Sequence, residues 1–386
     1  MRRALAALAM GCAVPQTLGR WPEDAPTAVT DVPASDTGKL ARTYTTLAVG
    51  GSRTCASSEG RVFCWGDPTG GGLGLDVVGS AAVARPTAVP GVTSADLIAM
   101  GEGHTCVVAR RRVFCWGDGA LGQLGDGRSE ARATPGEVAG GLGALALVAG
   151  RHVTCARDEA AWRCWGQLAG LTGATPAALR GFEAATALAP GASHVCGAWR
   201  TATGRFRVRC AGDNYQGQLG DDVVGAREGA VDFLDEAGRP EVDALGVAVG
   251  TGGTCVLRGD RRTVHCRGEV AEGARAGRAW TLSGDVAGLS VGRAQVCAAT
   301  LAGDVWCWGN NTAGQLGDGT RDSSDVPTRA AIAPDRRFVE VITDAGHTCA
   351  REEGGRSLWC WGANRSGQLG AGGTGVVAGP SRVIPP

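Results

Sequence analysis

Lysine is almost missing from this chain: Lys39 is the only one, against abundant arginine. That bias reads as genome composition and carries no functional meaning. Net charge is missing too. The 38 basic residues balance 38 acidic ones, so no basic face is offered to nucleic acid or anionic lipid. Beyond the N-terminus no run reaches the ~18 apolar residues of a membrane span, and no long stretch carries helical periodicity. The close Cys-x-x-Cys or Cys/His clusters that zinc would want are absent. So is the strand-turn-helix setting of a GxSxG nucleophile elbow. Neighbouring carboxylates such as Asp235-Glu236 and Glu352-Glu353 look like solvated loop charge. No pair can be placed at glycosidase separation. No catalytic residue, metal site or cofactor is therefore expected.

What the chain has instead is glycine and cysteine. It holds 64 glycines among 386 residues, far above an ordinary share of about 7%. Without a collagen period, that content fits tight turns between short strands. It also holds 15 cysteines, too many for a reducing cytosol without a metal or catalytic role.

Spacing decides their meaning. With Cys12 set aside, they fall into seven pairs: Cys55 with Cys64, Cys106 with Cys115, Cys155 with Cys164, Cys196 with Cys210, Cys255 with Cys266, Cys297 with Cys307 and Cys349 with Cys360. First members lie 51, 49, 41, 59, 42 and 52 residues apart, a period in the range of propeller blades. The surrounding text repeats as well: GEGHTCVVARRRVFCWGDGALGQLG begins at Gly101, and GRAQVCAATLAGDVWCWGNNTAGQLG at Gly292. The third unit has lost its tail, the fourth has Ala211 where others have tryptophan, and the fifth reads HCRGEVAEG. Each unit predicts an apolar strand, a hairpin, a Trp-Gly turn and a strand that often follows proline. Three or four strands per unit make a propeller blade. The expected fold is all-β, a single seven-bladed β-propeller over residues 44–386.

The pairs read as disulfides. A two-residue turn at Glu59-Gly60 leaves Cys55 opposite Cys64 at a non-hydrogen-bonded site, with Cα atoms about 4.5 Å apart, within disulfide range. Longer separations need longer turns, and Gly303 suits the bulge of a three-residue turn in unit six. Each bridge is worth about 2–3 kcal/mol on the chain-entropy estimate. The tryptophans after the second cysteine (Trp65, Trp116, Trp165, Trp308, Trp361) should pack between blades. Closing the ring removes exposed sheet edges.

Residues 1–12, MRRALAALAMGC, resemble a bacterial lipoprotein signal, with Cys12 as the lipidated residue. Residues 13–43 are rich in Pro, Thr, Ala and Asp, like a tether. An ordinary cleaved signal is the alternative.

His347-Thr348-Cys349, then Trp359-Cys360-Trp361-Gly362, Asn364 and Gly367-Gln368-Leu369-Gly370 resemble the regulator of chromosome condensation repeat. The resemblance runs over residues 44–386 and implies a seven-bladed propeller in which blade closure can mix chain ends. The C-terminal Gly379-Pro380-Ser381-Arg382-Val383-Ile384 is accordingly expected to complete the first blade. A nuclear member exchanges nucleotide on a small GTPase and binds chromatin, a use that needs a reducing compartment. A secreted bacterial member inhibits β-lactamases.

His104, His194 and His347 sit two residues before a first cysteine, where other units hold Arg53, Val153, Gly253 and Gln295. A catalytic histidine is needed once, so a repeating offset reads as structural, hydrogen-bonding between turns. His152 and His265 stand alone. The Gly-Asp-Gly at Asp126 and Asp318 reads as turn chemistry rather than a calcium loop, which needs several carboxylates at alternating positions. Residues 221–243 read as an acidic insertion, and Tyr215, Phe233 and Arg239 as candidate partner contacts on an irregular sector. The resulting expectation is a monomeric, non-catalytic scaffold on a bacterial envelope, or secreted, that engages a protein or glycan. It would meet the membrane only through a lipid anchor. An enzyme in the propeller funnel and a nucleotide-exchange factor are the alternatives. Convergent acidic, arginine or tyrosine side chains in the funnel would favour the enzyme, and a small glycine-lined funnel would exclude it.

Overall fold

The computed structural model describes residues 43–76, 81–168, 171–202, 204–270 and 277–386; Cys12 and nearly all of the tether lie outside them. Seven four-stranded antiparallel sheets follow one another along the chain. Blade 1 is typical: β1 (Tyr44–Gly50), β2 (Arg53–Ser58), β3 (Arg61–Gly66) and β4 (Val83–Ala88) lie side by side in chain order. Alternate strands run in opposite senses, so two kinds of connection share each end of a blade. The first-to-second turn and the long third-to-fourth loop meet at one face, and the backbone bond from Asp67 N to Ser52 O joins them. The central hairpin turn and the link to the next blade meet at the other.

Each central hairpin is stapled. Cys55 is bridged to Cys64, Cys106 to Cys115, Cys155 to Cys164 and Cys196 to Cys210. Cys255 is bridged to Cys266, Cys297 to Cys307 and Cys349 to Cys360. Across all seven, the Cα atoms lie 4.0–4.2 Å apart. The register is the one that spacing dictates: Cys55 faces Cys64, and Ser58 faces Arg61 across Glu59 and Gly60. Both turn residues take positive φ, 53° and 73°, which matches the twist of a two-residue hairpin. In blade 6 the turn is Leu301-Ala302-Gly303, and Gly303 has φ 89°.

The glycine after the second cysteine's neighbour is kept in every blade, even where the tryptophan is lost. Gly66, Gly117, Gly166, Gly212, Gly268, Gly309 and Gly362 have φ between 84° and 113°. Each sits where the third strand shifts register or ends. A side chain is disfavoured there by the dihedral and, at Gly66, Gly117, Gly166, Gly268, Gly309 and Gly362, also by contact with the backbone at the start of the second strand.

The core lies between blades. Trp65, Trp116, Trp165, Trp308 and Trp361 are fully buried, each against the preceding blade. Burial of one indole contributes on the order of 5 kcal/mol. The GQLG tail completes the contact. The indole N–H of Trp65 donates to Gln368 O at 2.9 Å, Trp165 to Gln123 O at 3.0 Å, and Trp361 to Gln315 O at 2.9 Å. Blade 5 has lost that tail, and the buried N–H of Trp308 has no partner among the described residues. Replacement by phenylalanine should therefore cost more at Trp361 than at Trp308, by about 1–2 kcal/mol. Denaturant midpoints of the two variants test this, and equal losses would dismiss the Gln315 bond as a source of stability.

One expectation is corrected here. The proline-led C-terminal strand, Val377–Arg382, pairs with Leu358–Gly362 of its own blade, not with blade 1. β4 sets the rule, because it returns to β3 of the hairpin that precedes it. The ring closes through side chains and loops instead: Gly372 N bonds Ala84 O at 2.9 Å, and Trp65 packs among the residues of blade 7.

Candidate functional site: the axial funnel

Five residues before each first cysteine stands a glycine: Gly50, Gly101, Gly150, Gly191, Gly250 and Gly292, with Asp344 in the seventh place. These residues end the innermost strands. A Cβ on any of the first five would fall closer than 3.0 Å to the carbonyl oxygen of the same position in the next blade. Glycine therefore lets seven backbones meet around the axis. Backbone bonds then run from blade to blade: Arg151 N donates to Gly191 O at 3.0 Å, and Thr251 N to Gly292 O at 3.3 Å. At the seam between last and first blades the Asp344 carboxylate takes over, accepting from Gly51 N at 2.6 Å.

The next position in each unit is variable and forms the mouth. Glu102, Arg151, Ala192, Thr251, Arg293 and Ala345 line a cavity of about 110 Å³, with Gly101, Gly191, Gly250 and Asp344 behind them. Glu102 pairs with Arg151 across adjacent blades. Burial lifts the Asp344 carboxyl to about 6, against the hydrogen bond from Gly51. Arg53 is 4% exposed and donates to the carbonyls of Glu102 and Thr69; burial lowers its pKa, opposed by Asp67 and Asp344. The funnel thus combines the two features weighed against each other in sequence, convergent charge and a small glycine-lined throat. Size decides what it can hold: sites for drug-sized ligands span about 300–1,000 Å³.

The bridge cysteines contribute nothing to this funnel. Cys115, Cys164, Cys266 and Cys307, together with their partners, lie buried in the apolar cores between blades. Their role is to fix each hairpin, and the chemistry of the mouth falls to other residues.

The recurring histidines bridge blades. His347 Nε2 meets Thr54 Oγ1 at 3.0 Å, His104 meets Thr154 at 2.8 Å, and His194 meets Thr254 at 2.9 Å. In blade 6, Gln295 does the same to Thr343 at 2.9 Å. Burial pushes the His104 imidazole down to about 3 and those of His194 and His347 to about 4. An unfolded histidine titrates near 6.5. Below that pH the unfolded chain binds protons that the folded chain refuses, so stability is lost as pH falls from 6.5 towards 4. The loss is about 3 kcal/mol per imidazole on the order-of-magnitude scale. Asp344, raised rather than lowered, acts in the opposite sense and offsets part of this. His347→Gln should still reach across the seam by its amide, as Gln295 does to Thr343 and Asp344 O of the next blade, and flatten the decline between pH 7 and 4.5. Thermal unfolding across that range checks it; a slope equal to that of the unaltered chain would exclude His347 as a source.

The irregular sector does not assemble one site. Tyr215 is 71% exposed, in the third-to-fourth loop on the funnel face, with Val223 and Val224 also exposed. Arg239 lies in the link to blade 5, on the opposite face, paired with Asp235 at 2.9 Å. Phe233 is a correction: it is fully buried, 5.5 Å from the His265 ring. It fills the space that tryptophan fills elsewhere, because blade 5 has Arg267 there. A Cβ on Gly220 would meet Phe233 and Arg267, whereas on Gly125 it would meet Trp165. Residues 221–243 are no simple insertion either, since Arg227–Asp232 is the fourth strand of blade 4. In the GQLG turns, Asp318 accepts from Thr320 N at 2.9 Å and Asp126 from Arg128 N at 3.0 Å, as Asx turns do.

The funnel residues escaped the sequence reading although their signal was available. Six glycines and one aspartate at a fixed offset mark the throat, and the variable residue after them marks the mouth.

Residues 302–351 match the regulator of chromosome condensation (RCC1) repeat. A Protein RCC2 homolog of Xenopus laevis is 37% identical over 86 residues, which is 22% of this chain and 17% of that protein. The chain spans 17% or less of the first curated relatives it matches. The crystal structure of human WBSCR16 superposes with a TM-score of 0.71 at 20% identity, covering 84% of this chain and 94% of that one. Prp20p of Saccharomyces cerevisiae gives 0.67 at 20% identity, over 84% and 85%. One stretch of the chain thus matches the RCC1 repeat, and the feature shared with the solved structures is the propeller.

Proposed function

We propose that this chain is a non-catalytic scaffold that engages another protein from outside the cytoplasm, on a bacterial envelope or after secretion. One observation carries the reading: the axial cavity, at about 110 Å³, is well below the ~300–1,000 Å³ of sites for drug-sized ligands. The exposed chemistry lies on loops around it instead. Seven disulfides support an oxidising compartment, and no helix among the described residues is long and apolar enough to cross a membrane. Prp20p, which shares the fold, binds Gsp1p and histones. Nucleotide exchange in a reducing compartment finds no support in the bridges. Lipidation of Cys12 would hold the ring at the membrane through residues 13–43.

The partner surface of this reading is the funnel face around Tyr215. A photo-crosslinking residue at position 215, in chain expressed in its native host, should give one discrete protein adduct. The same residue at position 239, on the opposite face, should give none. Adducts from 239 alone, or from neither, would refute the assignment. Amine-directed reagents are unsuitable, since Lys39 is the only lysine.

A further inference from the structure

The groups around the funnel mouth are unequally satisfied. Glu102 has Arg151, and the Asp344 carboxylate has the Gly51 N–H. Arg293 is exposed at the mouth, and its guanidinium makes no hydrogen bond or ion pair with the described residues. The hydroxyl of Thr251, one blade earlier, makes none either. A guanidinium offers five N–H donors in a planar fork and no acceptor. The mouth therefore has unmet donors on Arg293 and Thr251, while Glu102 and Asp344 each already accept from a neighbour through one oxygen.

We propose that the funnel mouth is a binding site for a single oxyanion group, a carboxylate or a phosphate, held by Arg293 with the Thr251 hydroxyl and flanked by Arg151. The planar fork matches either group bidentately. The cavity volume of about 110 Å³ is well below the ~300–1,000 Å³ of sites for drug-sized ligands, and suits a small charged group. The glycine throat closes the cavity behind the ion, and walls of low dielectric strengthen the attraction at the mouth. Thr251 and Arg293 belong to different repeats and meet only where blade 6 packs on blade 5. The inference is independent of the protein-binding reading, since the oxyanion can be a free ion or an acidic side chain of a partner.

The experiment titrates the whole chain with inorganic phosphate and, separately, with a capped glutamate dipeptide at low chloride, by calorimetry. Saturable binding of at least one probe is expected. Arg293→Gln should weaken it about tenfold or more, as loss of charge-assisted hydrogen bonds does. Arg365→Gln, exposed on a loop outside the cavity, should leave it unchanged. Because Arg293 is at the surface, its variant should keep the native melting temperature, which separates lost binding from lost folding. Tighter binding of the dipeptide identifies a partner's side chain as the source, and binding of phosphate alone identifies a free ion. Equal affinities for the two variants, or no saturable binding of either probe to the native chain, would overturn the proposal.

Discussion

Complete reduction of the seven bridges is expected to unfold the ring. Each bridge closes a hairpin loop of 9 to 14 residues in sequence separation. The chain-entropy estimate is about 2.7 kcal/mol for the shorter loops and about 3 kcal/mol for the longest. Seven such terms approach roughly 19 kcal/mol, more than the ~5–15 kcal/mol by which proteins are ordinarily stable. The sulfurs are buried between blades, with Cys55 and Cys64 in the core that holds Trp116. A reductant therefore reaches them only when blades part, and reduction in native buffer should be slow. Once reduced, the thiols still pack as small apolar groups, so the loss falls mainly on the unfolded state, which regains its freedom. Circular dichroism in a denaturant series, on chain reduced while unfolded and then dialysed, should show no cooperative transition. Recovery of the unreduced midpoint would mean that interblade packing alone holds the ring. Among single bridges, joint replacement of Cys196 and Cys210 by serine should cost most. Theirs is the longest loop, and their blade has Ala211 in place of the interblade tryptophan.

The hairpins were legible in sequence because three constraints agree at each one. Cysteine spacing sets the register, side-chain alternation sets the face, and residues such as Gly60 and Gly303 set the turn. The tryptophans were legible for the same reason, since Trp65 must point away from Cys64 on a pleated strand. The fate of the proline-led strand was not legible. An antiparallel repeat can hand its fourth strand backward or forward with no change in local pattern, and only the pairing of β4 with β3 decides. Phe233 misled because compensation is a property of pairs. A buried phenylalanine makes sense only beside Arg267, which lies 34 residues away in the next blade. The funnel illustrates a third case. Its glycines were plain to see, but their role depends on a neighbour one whole repeat away. Arg293 and Thr251 each follow a throat glycine in their own unit, but they share a cavity only because blade 6 packs on blade 5.

The glycine throat makes the sharpest demand on the chain, and Gly250→Ala should show it. A Cβ at position 250 would fall closer than 3.0 Å to Gly292 O and to a methyl of Val291, whereas one at Gly288 meets nothing within 4 Å. Neither glycine takes positive φ, so the dihedral does not separate the two sites. Only space does. At position 250 the obstacle includes a backbone carbonyl, which no rotamer change can move. That carbonyl also accepts the Thr251 N–H, so displacing it breaks an interblade bond. An open sheet would yield by sliding its edge outward. A closed ring has no edge, and close-packed blades pass the strain to their neighbours. Overpacking ordinarily costs about 1–3 kcal/mol, and the rigid obstacle places Gly250→Ala at about 3 kcal/mol or above. Gly288→Ala should be neutral, or stabilising by up to about 1 kcal/mol through a less free unfolded chain. Denaturant unfolding of the two variants under non-reducing conditions compares them directly. Equal midpoints would show that the blades can part at the axis without loss. The close approach of seven backbones would then be a consequence of closure and not a condition for it.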